Sequence, residues 1–394
     1  MKASRLILLG VGLALGLFLA AQAMASDARL ESLALQREYV EDYFNFRTFP
    51  TVAARFQNVA TIGLGTNDSN TGTFGNDRSV GVIGAGDNTT YGVFAVYLNQ
   101  VQTDATADVD GDGVPDPIDD AQFDITWAKD FGGATIGASI LYQNSSIEPG
   151  SAKTSPIDGF DQSLGDPNTN VLAITGGAKF GMAENTMLEL AAQLGWLSWE
   201  DKDATGTVTS EDAGNLSYNL AGRIMAEVSD RSTLVPLIKY TKLDLTADAG
   251  GGTELDVTRS TFNAGVALNY EVNGSDLLIL GLSADYRKDQ DDVVGTDISD
   301  WSIPTLFLAA EFDAYSWLTL RGGARKTFDN ASDDAIDTDA KFSSFTFGLG
   351  AGLHFDHFDV DASLNPDWMF SGGYFLSGRT TDVPLTRITA SYYF

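Results

Sequence analysis

The sequence predicts an all-β fold: a transmembrane antiparallel up-and-down β-barrel of about 16 strands, with short turns on one rim and long acidic loops on the other. Three observations carry this expectation. Apolar side chains recur at every second position through most of the chain, as in Phe345, Phe347, Leu349, Ala351, Leu353 and Phe355. Ser344, Thr346, Gly348, Gly350, Gly352 and His354 occupy the alternate face, a period of two that no helix produces. Short and long connections alternate between the segments, and after Ala25 nothing is long and apolar enough to cross a bilayer as a helix.

Taken in order, Met1 to Ala25 reads as a secretory signal. Lys2 and Arg5 precede an apolar stretch from Leu6 to Ala20, and Ala23-Met24-Ala25 supplies the small-x-small cleavage site. Residues 26–54 break the alternating pattern. Leu30, Leu33 and Leu35 sit among charges, followed by Tyr39, Tyr43, Phe44, Phe46 and Phe49. This predicts a short helix and an aromatic extended segment, serving as a periplasmic leader or a plug. Residues 55–394 are assigned to the barrel.

Within it, strands are expected to start near residues 56, 78, 90, 121, 133, 170, 186, 213, 231, 254, 275, 299, 316, 341, 358 and 383. Tight turns fall at 86–88, 131–133, 183–185, 229–231, 273–275, 314–316 and 356–358, and long connections between them. The first two segments are short and rich in glycine, which leaves 14 strands as an alternative. A soluble β-sandwich would alternate too, but it would not need a small, polar second face throughout.

Composition narrows the function. The 394 residues carry 24 Lys+Arg against 54 Asp+Glu, a net charge of −30, and no Cys. Disulfides, thiolate metal sites and c-type haem are excluded, and the charge disfavours nucleic acid. The chain ends Ile388-Thr389-Ala390-Ser391-Tyr392-Tyr393-Phe394. This resembles the last strand of Gram-negative outer-membrane β-barrel proteins, and the whole chain is porin-like in layout without a specific porin signature. The resemblance implies an outer-membrane address in a Gram-negative bacterium. It also implies recognition of Phe394 and Tyr392 by the barrel-insertion machinery, and outer-membrane lipid and lipopolysaccharide as surroundings.

If the apolar face meets lipid, the other face lines a pore. It carries Lys179, Arg223, Lys239, Arg259, Arg287, Arg321, Arg325 and Arg387 beside Glu189, Glu227, Glu271, Asp285, Glu311, Asp359 and Asp361. Such a mixture either braces the wall by ion pairs or lines a hydrated passage. A lumen of this size is too wide for side chains alone to fill, so loops or the leader must narrow it. Trp196, Trp199, Trp301, Tyr315, Trp317 and Trp368 fit interfacial girdles.

One stretch has metal-binding spacing. Asp108, Asp110, Asp112, Asp116 and Asp119, with Gly113 and the Val114 carbonyl between, resemble a calcium loop of the DxDGDG kind. Calcium, if bound, would be structural. Catalytic signals are poor: His354 and His357 are the only histidines, and nothing marks a nucleophile with its base. The chain is read as no enzyme. The leading expectation is passive diffusion of small hydrophilic solutes through a cation-preferring, porin-like channel. The alternative is a structural or surface-interaction barrel with a closed lumen. Self-association is left open.

Overall fold

The computed structural model describes residues 26–56, 58–65, 77–88, 90–102, 119–146, 153–154, 163–164, 168–202, 208–212, 215–244, 247–248, 254–255, 257–291, 296–333, 338–365 and 384–394. The wall begins with β1 (Val59–Gly65), β2 (Asp77–Asp87), β3 (Gly92–Gln102), β4 (Asp119–Asp130) and β5 (Ala134–Ser146). It continues through β6 (Asn168–Ala183), β7 (Thr186–Lys202), β8 (Asn215–Ser229), β9 (Ser232–Asp244), β10 (Val257–Glu271) and β11 (Leu277–Asp291). The last strands are β12 (Thr296–Tyr315), β13 (Leu318–Asp333), β14 (Thr338–Phe355), β15 (Phe358–Leu364) and β16 (Leu385–Tyr393).

Each strand pairs antiparallel with the next. The ring closes where β1 pairs β16, with Val59 opposite Tyr393 and Gly65 opposite Arg387. Closure removes both sheet edges, which a lipid-immersed sheet requires. The short, Gly-rich first segments are therefore both wall strands, and the number among the described residues is 16. Short ribbons at 208–212, 247–248 and 254–255 extend the wall beyond β7 on the long-connection side.

Burial is inverted relative to a soluble protein. Ile62, Val80, Leu98, Ile140, Leu194, Leu282, Leu308 and Leu320 point outward and are about half exposed, whereas Thr61, Thr175, Gln193, Ser283 and Thr319 are buried inside. A β-sandwich would bury the first set. An apolar outer wall on a closed ring is built to meet hydrocarbon.

Inside stands the segment at 26–56. Helix α1 (Asp27–Ser32) starts at Ser26, whose hydroxyl accepts from the Arg29 amide at 3.1 Å. The aromatic stretch after it is not extended, as the sequence suggested, but folds into three 3₁₀ turns at Arg37–Tyr39, Tyr43–Arg47 and Pro50–Ala54. Local chemistry explains the difference. The Asp42 carboxylate accepts from the Phe44 amide at 2.8 Å, Asn45 Nδ2 folds back onto the Val40 carbonyl at 2.6 Å, and Pro50 opens the last turn. Turning the chain tightly lets Tyr39, Tyr43, Phe44, Phe46 and Phe49 all pack into one core with wall residues Val59, Ile83, Tyr97, Ile279 and Phe307.

Candidate functional site

The site is the occupied lumen, and its wall is shaped for the segment it holds. A Cβ on Gly348 would stand 2.5 Å from the Glu31 carbonyl oxygen and 2.7 Å from that of Ser32. On Gly137 it would stand 2.5 Å from both the Pro50 carbonyl carbon and the Thr51 nitrogen. The small inner face thus admits the segment's backbone, a demand only glycine meets at these approaches.

Charge matches as closely as shape. Arg29 grips Glu311 with two bonds, Nε to Oε1 and Nη2 to Oε2, each 2.5 Å. Arg321 Nε donates to the same Glu311 at 2.8 Å and its Nη1 to Asp361 at 2.5 Å, while Ser26 donates to Asp361 at 2.7 Å. This continuous chain ties α1 to β12, β13 and β15. Across the barrel, Arg223 meets Glu189 at 2.7 Å, donates to the Glu38 carbonyl at 2.7 Å and lies over the Phe49 ring at 4.6 Å. Thr51 donates to that Glu189 as well.

The remaining contacts run round the ring. Lys239 holds Glu38 at 2.6 Å, Lys179 approaches Glu41 at 3.3 Å, and Arg47 approaches Asp124 at 3.3 Å. Arg387 reaches Glu31 at 3.1 Å and Asp27 at 3.5 Å. Tyr43 lies 3.3 Å from both Thr61 and Ser391, and the Tyr39 ring packs 4.9 Å from that of Phe307. Burial opposes ionisation of Glu38, but Lys239 outweighs it and holds the carboxyl at about 2. Asp42 is the exception: burial pushes it up to about 7, because Arg29 stands 3.8 Å away and is committed to Glu311. Its Oδ2 has no hydrogen-bond partner among the described residues.

Of the residues expected to line a pore, Lys179, Glu189, Arg223, Lys239, Glu311, Arg321, Asp361 and Arg387 are brought together by the inner segment, directly or through one another. Nearer the long connections, Arg259 clasps Asp289 at 2.7 and 3.0 Å, and Arg287 reaches the same carboxylate at 2.5 Å. Asn263 donates to Asp285 there, and Arg325 faces inward in phase with Arg321. Glu227 and Glu271 stand exposed at the short-turn ends of β8 and β10. His354 faces inward, its Nδ1 2.9 Å from Asp359 and its Nε2 2.9 Å from Thr319, while His357 is exposed at the turn.

The wall's partners Asp27, Arg29, Glu31, Glu38, Glu41 and Arg47 were not singled out from the sequence. Their one signal was charge interleaved with aromatics in a segment lacking strand alternation. Trp196, Trp301, Tyr315 and Trp317 lie exposed on the outer wall; the side chains of Trp199 and Trp368 lie outside the described residues. So do Met1 to Ala25 and Asp108, Asp110, Asp112, Val114 and Asp116 of the calcium-like loop; Asp119 opens β4. Among the described residues no cluster of acidic or histidine side chains is arranged to hold a metal.

No family model matches this chain, and no curated protein does. Among solved structures it is similar to a Pseudomonas aeruginosa FadL homologue, at 13% identity over 95% of this chain and 100% of that one, with a TM-score of 0.42. The Pseudomonas putida toluene transporter TodX gives 12% identity over 95% and 99%, also at 0.42. The ferripyoverdine receptor of the Pseudomonas aeruginosa outer membrane gives 12% identity over 70% of this chain, at 0.40. This chain spans only 46% of that receptor, 52% of the copper transporter OprC and 62% of the Neisseria meningitidis iron transporter FrpB. Likeness this distant says nothing about what the present chain carries. Its own closed ring, apolar outer wall and alternating connections are sufficient for one statement. The chain is a barrel of the outer-membrane type.

Proposed function

We propose that this chain is an outer-membrane transport barrel for small hydrophilic solutes, closed at its short-turn half by its own N-terminal segment. The observation that supports this reading most directly is the pairing of charge. Asp27, Arg29, Glu31, Glu38, Glu41 and Arg47 each meet an opposite charge on the wall, on strands distributed round the ring. The segment is held by these ion pairs and by the apolar core that Tyr39, Tyr43, Phe44, Phe46 and Phe49 form with the wall, so its release must hydrate both and is a rare event. Passage is therefore gated by displacement of the segment instead of permanently open. With 54 acidic against 24 basic residues in the chain, the open state prefers cations at low salt.

A second reading, a closed structural barrel, draws on the same buried ion pairs, which would also suit a permanent brace. Single-channel recording on the reconstituted protein separates the two. The intact chain should show rare openings, and variants that loosen the segment should open often, with a reversal potential favouring cations at low mean salt. A barrel that stays silent in every such variant overturns the transport reading.

A further inference from the structure

Among the described residues, every arginine and lysine that the wall turns inward meets a carboxylate, with one exception. Arg325 has neither an ion-pair nor a hydrogen-bond partner among them, in a chain with 54 acidic residues against 24 basic. Register sets it between Phe307 on β12 and Thr346 on β14, one inward position beyond Gly323. A Cβ on Gly323 would overlap the Leu33 carbonyl, so half-buried Arg325 stands at the surface of the docked segment, on its long-connection side. Hydroxyls surround it. Thr305 donates to Thr327 Oγ1 at 3.4 Å, which leaves the Thr327 proton to donate elsewhere, and Thr346 is exposed.

Asp329 faces inward on the same strand. Its Oδ1 accepts from Ser302 Oγ at 2.5 Å, and it has no cationic partner among the described residues. Four residues of strand hold the Cα atoms of Arg325 and Asp329 about 13 Å apart, and the two do not pair. Opposite Asp329 on β14, register turns Phe342 inward, and it is 59% exposed. A guanidinium and a carboxylate fixed at this spacing suit a solute that carries the complementary charges at its two ends. An extended peptide spans about 3.3–3.6 Å per residue, so two or three residues with a hydrogen bond of about 2.9 Å at each end cover the interval. A single amino acid is too short. A phosphate dianion is mismatched, because one guanidinium balances one charge and Asp329 repels the second. The Phe342 ring beside Asp329 presents its face to an ammonium.

We propose that Arg325, Thr327, Thr346 and Asp329 bind short zwitterionic peptides, the C-terminal carboxylate on Arg325 and its neighbouring hydroxyls and the N-terminal ammonium on Asp329. This makes short peptides the solute of the transport barrel and so rests on that reading, but binding itself does not need the barrel to open. Titration calorimetry on the full-length barrel in detergent at low salt tests it, with triglycine, N-acetyl-triglycine, triglycine amide and glycine as probes. Triglycine should bind at least about tenfold tighter than each of the others, the loss expected for one charged contact. Arg325→Gln should erase the advantage of triglycine over its amide and keep that over the acetylated form; Asp329→Asn should do the reverse. Heat-modifiable migration of each variant checks that the barrel has assembled. Equal binding of the four probes, binding of none, or an Arg325→Gln barrel that keeps the whole preference overturns the proposal. Triglycine bound with the expected preference by a barrel that stays silent in every loosened variant would leave the site standing and remove only the transport reading.

Discussion

Replacing Gly348 by Val should expel the inner segment without disturbing the wall. The Cβ would stand 2.5 Å from the Glu31 oxygen, 2.7 Å from the Ser32 oxygen and 2.8 Å from the Ser32 carbon, all of them backbone. Ordinary contact needs about 3.5 Å, so α1 must retreat by about 1 Å. Such a shift stretches the 2.5 Å bonds between Arg29 and Glu311 past hydrogen-bond range. Overpacking of this kind costs about 1–3 kcal/mol, which multiplies the released population by roughly 5 to 150. Valine itself suits a strand, and the same residue at Gly176, where nothing lies within 4 Å of an added Cβ, is the control. Two assays read the outcome: open probability in planar bilayers, and tryptic cleavage at Arg29 and Arg37. Both should rise for Gly348→Val and stay at the parental level for Gly176→Val. A Gly348→Val barrel as protected and as silent as the parent would refute the docking argument.

Arg223→Met should loosen the opposite side, because Glu189 would remain buried without its partner; breaking such a pair costs about 3–5 kcal/mol, and amide exchange across residues 38–51 should accelerate. Docking should also depend on pH. Asp42 sits at about 7 when docked against an ordinary 3.8, so the docked state holds the extra proton and weakens as pH rises through 7. Glu38, held at about 2, contributes fully above its ordinary 4.5 and changes nothing in that window. Tryptic release should therefore increase from pH 5.5 to 8.5, and Asp42→Asn should flatten the curve. Deleting Phe394, which is exposed and stacks near Tyr392 at 6.5 Å on the outer face, should abolish heat-modifiable barrel in outer-membrane fractions. Asp110→Ala with Asp112→Ala should abolish saturable calcium binding by the 108–119 loop, measured by titration calorimetry.

The wall was legible because its rules are local. A period of two tells which side of a strand faces hydrocarbon, and Gly, Asn and Asp clusters tell where a strand stops, so all seven tight turns and the inward phase of Arg321, Glu311 and Asp361 could be read residue by residue. What the inward residues meet is not a local property. Arg29 and Glu311 are separated by 282 positions, and Ser26 and Asp361 by 335. A hydrated pore and a docked polypeptide both demand polar and small side chains on the inner face, so the same list fitted either. Glycine is the residue that tells them apart. Water tolerates a methyl group at positions 137 and 348, but the backbone at Pro50 and Glu31 does not. The small inner face was visible in Gly348, Gly350 and Gly352 before any fold was known. Its meaning needed the aromatic segment at 39–49, which turns at Asp42 and Pro50 instead of extending and so becomes compact enough to enter the ring. The second face is small because a chain passes against it.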